Sequence, residues 1–218
     1  MKPYIFFWDI NLRNLPRALF YMGYGHLLLK NRKGIGFYKL LGTGRGDSFT
    51  PRDANPKRWG LLVICSGDPK NLAIVKKWRN ISTSERFFEL APISSHGKWS
   101  GVNPFVATND SAHVTYDHNR VAAITRAKIK NRLALKFWRA TPPVINSLKN
   151  SVGLIWAIGI GESPIGLQGT FSLWESEDAL KNFAYQEREH KVAIAKTKEL
   201  GWYSEELFAR FQVLSGAE

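Results

Sequence analysis

The feature that most restricts the fold of this 218-residue chain is an order of elements that occurs twice. Residues 3–10, PYIFFWDI, are aromatic and branched as strands favour, and residues 12–31, LRNLPRALFYMGYGHLLLKN, carry apolar residues at helical spacing. IGFYKLLGTG (35–44) and RWGLLVICS (58–66) read as strands joined by the turn-rich stretch 45–57. DPKNLAIVKKWRN (68–80) opens a helix with an Asp cap and a Pro at the first helical position, and RFFELAPIS (86–94) closes the unit as a strand. The order then returns. VAAITRAKIK (121–130) predicts a strand, 134–150 a helix broken at Pro142 and Pro143, and 153–161 and 166–175 two strands. Residues 176–200 predict a long helix capped by Ser176, and LFARFQVL (207–214) alternates as a strand does.

Strand, helix, strand, strand, helix, strand is the split βαβ of ferredoxin-like folds. The expected class is therefore α+β, with tandem ferredoxin-like repeats at residues 1–118 and 119–218 packed as one unit. The strings YKLLGTGRGD and WAIGIGESP support a duplication, because each is a strand ending in a glycine-rich turn that carries an acid. Two such units side by side predict an α/β-barrel-like domain with helices outside, closed within one chain or completed by a dimer.

Composition narrows the function classes. A hydrophobic content of 44% fills a sizeable core, and 13% aromatic residues suit a bulky interior or a site for a flat apolar ligand. With 31 Lys and Arg against 18 Asp and Glu, an anionic partner is expected. The cations are scattered and form no zinc finger, RNP motif or basic zipper, so nucleic acid is not the expected partner. The lone Cys65 permits no intrachain disulfide and suits a reducing, cytoplasmic setting. No run approaches about 18 uninterrupted apolar residues, so any lipid contact is expected to be peripheral.

Local motifs are mostly weak. GTGRG at 42–46 lacks the Lys and Ser or Thr of a phosphate loop and reads as turn glycines; the Arg-Gly-Asp triplet at 45–47 reads as chance. His113 and His118 with Asp110 and Asp117 lack the spacing of a local metal site and read as a polar loop. Glu205 and Glu206 read as a solvated turn. Trp8, Trp138, Trp156 and Trp174 suit either an apolar channel or plain core packing. In the last long helix, residues 183, 187, 190 and 194 (Phe, Glu, His, Ile) share one face, so His190 is placed to project inward. Geometry alone leaves it a histidine at the edge of a buried stripe or a ligand.

Four strings go further. FYKLLGTGRGDSFTP, WSGVNPF (99–105), GIGESPIGLQGTFSLWES (159–176) and GWYSEELFARFQVL (201–214) resemble the spheroidene monooxygenase family of carotenoid-modifying enzymes. The resemblance implies a haem-containing oxygenase that introduces a keto group into an acyclic carotenoid, using dioxygen and electrons from a donor such as ferredoxin. It implies that a histidine on a helix of the C-terminal half, here His190, is the axial ligand of the haem iron. The other ring N–H of that histidine would donate to Glu187 or a backbone carbonyl. The propionates of the cofactor would take cations, for which Arg126 and Arg132 are candidates. The alternatives are a haem-free ligand-binding or interaction module on the same barrel, and a cofactor-independent oxygenase.

Overall fold

The computed structural model describes residues 1–46, 53–106, 120–140, 142–162, 167–186 and 202–217. Strand β1 (Lys2–Ile10) is apolar without alternation because both its faces are covered. Ile5 and Phe7 point one way and Tyr4, Phe6 and Trp8 the other, into two separate clusters. A short 3-10 turn leads to α1 (Leu15–Leu29), with Pro16 in its first turn. Next come β2 (Ile35–Gly44), β3 (Ala54–Cys65), α2 (Ala73–Arg79) and β4 (Ser82–Gly97). Asp68 caps the turn before α2 by accepting from Lys70 N–H at 2.9 Å. The remaining elements are β5 (Val121–Ile129), α3 (Ala134–Ala140), α4 (Pro142–Lys149), β6 (Leu154–Gly161), β7 (Leu167–Trp174), α5 (Glu177–Gln186) and β8 (Tyr203–Ala217).

The eight strands close into one barrel in the order β1-β3-β2-β6-β7-β5-β8-β4, with every neighbouring pair antiparallel. The first four follow the lateral order 4-1-3-2 and the last four repeat it as 8-5-7-6. Closure occurs within this one chain. The division expected at 118/119 lies outside the described residues.

The two seams are unequal. Strands β4 and β8 pair from Phe87↔Ala217 to Gly97↔Leu207, whereas among the described residues β2 and β6 pair at Gly42↔Gly161 and Thr43↔Ile160. The strings that read as duplicates, YKLLGTGRGD and WAIGIGESP, thus lie on the two strands that meet at the short seam. Gly42, Thr43 and Gly44 end β2, as the strand expected at 35–44 requires, and the chain turns at Arg45 and Gly46. Buried Asp53 holds that turn, accepting from Gly46 N–H at 3.0 Å.

Both faces of the sheet are packed. The lumen is filled by Ile5, Phe7, Phe88, Ile124, Phe171, Phe211 and their neighbours. Outside the first half, α1 and α2 press Trp78 onto Trp8 with rings 5.5 Å apart and 4° from parallel. Outside the second half, Leu180 and Phe183 of α5 bury Trp174, and Phe183 stacks on it at 5.4 Å. Ser176 caps α5 through Ala179 N–H, as its position predicts, and the prolines do separate α3 from α4. Trp8 and Trp174 both face outward, so the four tryptophans do not share one channel; only Trp156 packs against the lumen.

Gly97 sits at φ +89°, and a Cβ there would lie 2.2 Å from the Glu206 carbonyl oxygen. Gly67 has the same φ with open space around it. Gly97→Ala is expected to destabilise the protein by roughly 3 kcal/mol and Gly67→Ala by only about 1 kcal/mol, read by denaturant unfolding. Equal losses would mean that the close approach of β4 and β8 does not matter.

Candidate active site

Strand parity places one arginine inside the barrel. On β5, Ala122 and Ile124 face the lumen, and Arg126 follows them, only 5% exposed. A guanidinium in such a place requires counter-charge. Two carboxylates supply it. Arg126 Nη2 donates to Glu162 Oε1 at 3.2 Å, and Nη1 donates to Glu205 Oε1. Glu162 also accepts from Trp99 Nε1 at 2.6 Å and from Lys39 Nζ at 2.5 Å, so it is paired with two cations.

The loop after β4 completes the cluster. Trp99 is fully buried beside the guanidinium, its ring 5.7 Å from the Arg126 Cζ. Ser100 (φ +56°) and Gly101 (φ +83°) turn the backbone so that both N–H groups donate to Glu205, at 3.0 and 2.7 Å. Lys39 Nζ donates to Ser100 Oγ at 2.6 Å. Lys39, Arg126, Glu162 and Glu205 therefore form a neutral, hydrogen-bonded plug at one end of the lumen. Each of the four resemblance strings contributes to it: Lys39 from the first, Trp99 from the second, Glu162 from the third and Glu205 from the fourth.

Glu205 is corrected from a solvated turn to an inward-facing residue of β8. Only its neighbour Glu206 remains exposed. Partial burial pushes the Glu205 carboxyl up, but the Gly101 and Ser100 N–H groups and the Arg126 guanidinium outweigh it and hold it below its ordinary value.

The other end of the lumen is polar too. Asp9 accepts from Arg58 Nε and Nη2 at 2.6 and 2.9 Å and from Ser84 Oγ at 2.9 Å. Burial raises the Asp9 carboxyl, and the hydrogen bonds and the charges of Arg58 and Arg86 more than reverse this. Arg86 lies over the Trp156 ring at 4.6 Å. Between these ends Phe7, Phe88, Trp156 and Phe171 touch one another edge and face. A surface cleft of about 540 Å³ beside Met1, Tyr4, Lys70 and Glu89 lies outside the barrel.

The other sequence candidates are placed as follows. Arg126 is inside the barrel, and Arg132 is exposed in the turn before α3. His190, Glu187, His113, His118, Asp110 and Asp117 lie outside the described residues. Among the described residues, no group of three His, Cys, Asp or Glu side chains is placed to hold a metal ion. None of the described helices is long and apolar enough to cross a membrane.

Because the folded Glu205 carboxyl titrates below its ordinary value, its contribution is present at neutral pH and is lost as pH falls below about 4.5. Arg126→Met leaves Glu205 without a cation and Glu162 with Lys39 alone, and is expected to cost about 3 kcal/mol at neutral pH. The deficit should shrink on acidification, as protonated carboxyls no longer need the cation. A deficit constant from pH 7 to about 4 in urea unfolding would assign the loss to packing instead.

Comparisons with known proteins were made by sequence and by structure. The chain is 34% identical over 207 residues to a spheroidene monooxygenase of Rhodobacter capsulatus, covering 92% of this chain and 85% of the relative. To the spheroidene monooxygenase of Cereibacter sphaeroides it is 31% identical over 82% of this chain and 56% of the relative. No family model matches. Among solved structures, a Fusobacterium nucleatum protein provisionally classed as a monooxygenase aligns over 100% of this chain and 94% of its own, with 12% identity and a TM-score of 0.45. Four strings scattered from Lys39 to Glu205 meet in one plug, and the identity extends over nine-tenths of the chain; the chain belongs to the spheroidene monooxygenase family and is an oxygenase.

Proposed function

We propose that this oxygenase is haem-dependent and introduces a keto group into an acyclic carotenoid or a similar apolar isoprenoid. The observation that carries the reading is the difference between the two outer faces of the sheet. Outside the first half, Phe6, Trp8, Trp59 and Trp78 fill the space beneath the helices. On the second half Trp174 and Phe208 share the corresponding face with small side chains: Ala123, Thr125, Ala157, Thr170 and Ser172. Thr125 is exposed in mid-strand, although both its neighbouring strands are paired. Around exposed Thr125 the small residues would offer a platform for a flat apolar cofactor, which large side chains would exclude, and His190 follows the end of α5 by four residues in the sequence.

Bound haem would supply the activation of dioxygen, which no side chain can perform. The remaining work belongs to this chain. His190 would bind the iron through one ring nitrogen, and Glu187 or a backbone carbonyl would accept from the other. Of the two arginines considered for the propionates, Arg132 is exposed and able to swing, whereas Arg126 would have to exchange Glu162 or Glu205. The filled lumen acts as a rigid support, because its aromatic side chains already occupy one another's contact surfaces. Each hydroxylation consumes one dioxygen, two protons and two electrons; two at the same carbon give a diol that loses water to leave the ketone. The electrons would come from an external donor such as ferredoxin, and the formal charge of +13 favours an acidic one.

Haemin titration tests the reading. The protein is expected to develop a Soret band that His190→Ala abolishes or shifts, and Thr125→Trp is expected to weaken uptake at least tenfold by filling the platform. A protein that stays colourless in excess haemin would overturn haem dependence and favour a cofactor-independent oxygenase or a haem-free binding module. An unchanged Thr125→Trp titration would move the cofactor elsewhere.

A further inference from the structure

Helix α1 is apolar on both sides. Ala18, Gly25 and Leu29 are buried against the sheet and α2. On the opposite side, Pro16, Phe20, Gly23 and Leu27 follow the i, i+4, i+7, i+11 progression of one outward stripe. Leu19 flanks that stripe and Leu12 precedes it. Leu12, Leu19, Phe20 and Leu27 are 52%, 57%, 59% and 75% exposed. A helix apolar all round is ordinarily covered on every side. This one presents a ridge of large side chains to the outside, with Phe20 stacked on Tyr24 at 5.2 Å.

Charge surrounds the ridge with one sign. Between Asp9 and Asp47 the sequence contains no carboxylate, while Arg13, Arg17, Lys30, Arg32 and Lys33 flank the helix at both ends and are all exposed. Helix α2 adds Lys77, which lies 5.9 and 5.7 Å from the rings of Tyr21 and Tyr24. We infer that this face of α1 is a docking surface for an anionic lipid bilayer. The apolar ridge enters the boundary between headgroups and acyl chains, and the cations remain among the lipid phosphates.

Two arguments favour lipid over other occupants. A second copy placed on the ridge by a two-fold axis would set the same cations against each other with no carboxylate to answer them. The helix, at 15 residues and about 22 Å, is too short to cross a hydrocarbon core of about 30 Å, so it lies along the surface. The inference deepens the isoprenoid reading by naming the surface that meets the source of such a substrate. It rests on that reading for its purpose and on none of the haem chemistry.

The test is co-sedimentation of the full chain with vesicles of phosphatidylcholine containing roughly 30% phosphatidylglycerol, against phosphatidylcholine alone. At least tenfold stronger partition into the anionic vesicles is expected, falling several-fold in about 0.5 M salt. The exposed double variant Phe20→Ser/Leu27→Ser should lose at least tenfold in partition with an unchanged circular dichroism spectrum and unchanged haemin uptake. Equal partition of variant and parent, or no partition into anionic vesicles, would overturn the inference. So would a dimer that the double variant dissociates, which would give the ridge to a second copy. Loss of ferredoxin binding in that variant with vesicle partition intact would give it to the redox partner and overturn it equally. A colourless protein that still partitions keeps this inference while removing the haem reading.

Discussion

The pairing of Arg126 with Glu162 and Glu205 is the constraint on which this end of the barrel depends. A guanidinium that is 5% exposed beside an apolar lumen cannot stand without counter-charge, and the two carboxylates come from far along the chain. Glu162 must follow β6 directly, and β8 must begin early enough for Glu205 to face inward. Glu162 then has a second obligation to Lys39, at 2.5 Å across the seam where, among the described residues, β2 and β6 share two backbone register pairs. The side chains thus tie a seam that the backbone barely closes. The 99–102 loop serves the same group, spending two left-handed residues to aim two N–H groups at one carboxylate.

The sequence was legible wherever local pattern and tertiary context agreed. Element order, the caps Asp68 and Ser176 and the break at Pro142 follow from short-range chemistry, and all appear in the structure. Errors arose at strand ends. Strand β8 was expected from Leu207 and begins at Tyr203; those four residues contain Glu205, which therefore read as a turn. Its alternation with Leu207, Ala209 and Phe211, all buried in the lumen, was the available signal. In GTGRG strand and turn share one string: Gly42 lies in β2 where it meets Gly161 of β6, as the strand reading of 35–44 expects, and Arg45 and Gly46 make the turn. Arg126 reads only as a cation in the sequence, and its pairing with Glu162 and Glu205 is not legible there, because pairing across more than thirty residues leaves no local trace.

The two halves share a strand order and differ in what covers it. The outer face of the first half is a stack of large aromatic rings, and that of the second half mixes Trp174 and Phe208 with alanine, serine and threonine. Aromatic filling fixes the helices and leaves no room for a ligand, whereas the small residues around exposed Thr125 would leave room for one on the proposed reading. Two copies of one architecture can in this way divide their tasks, one rigid and one receptive, without any change in topology.

The same division bears on how an oxygenase handles a long apolar substrate. The lumen is the obvious apolar space, but Phe7, Phe88, Trp156 and Phe171 already pack there and both ends are tied by ion pairs. Opening it would break the buried Arg126 cluster, the part-buried Asp9–Arg58 pair and an aromatic core together, a far greater cost than covering an exposed threonine. On the proposed reading an isoprenoid would therefore meet its least cost outside the sheet, against the second half. Chemistry placed there would leave the interior to do what its residues are arranged for, which is to keep the sheet rigid.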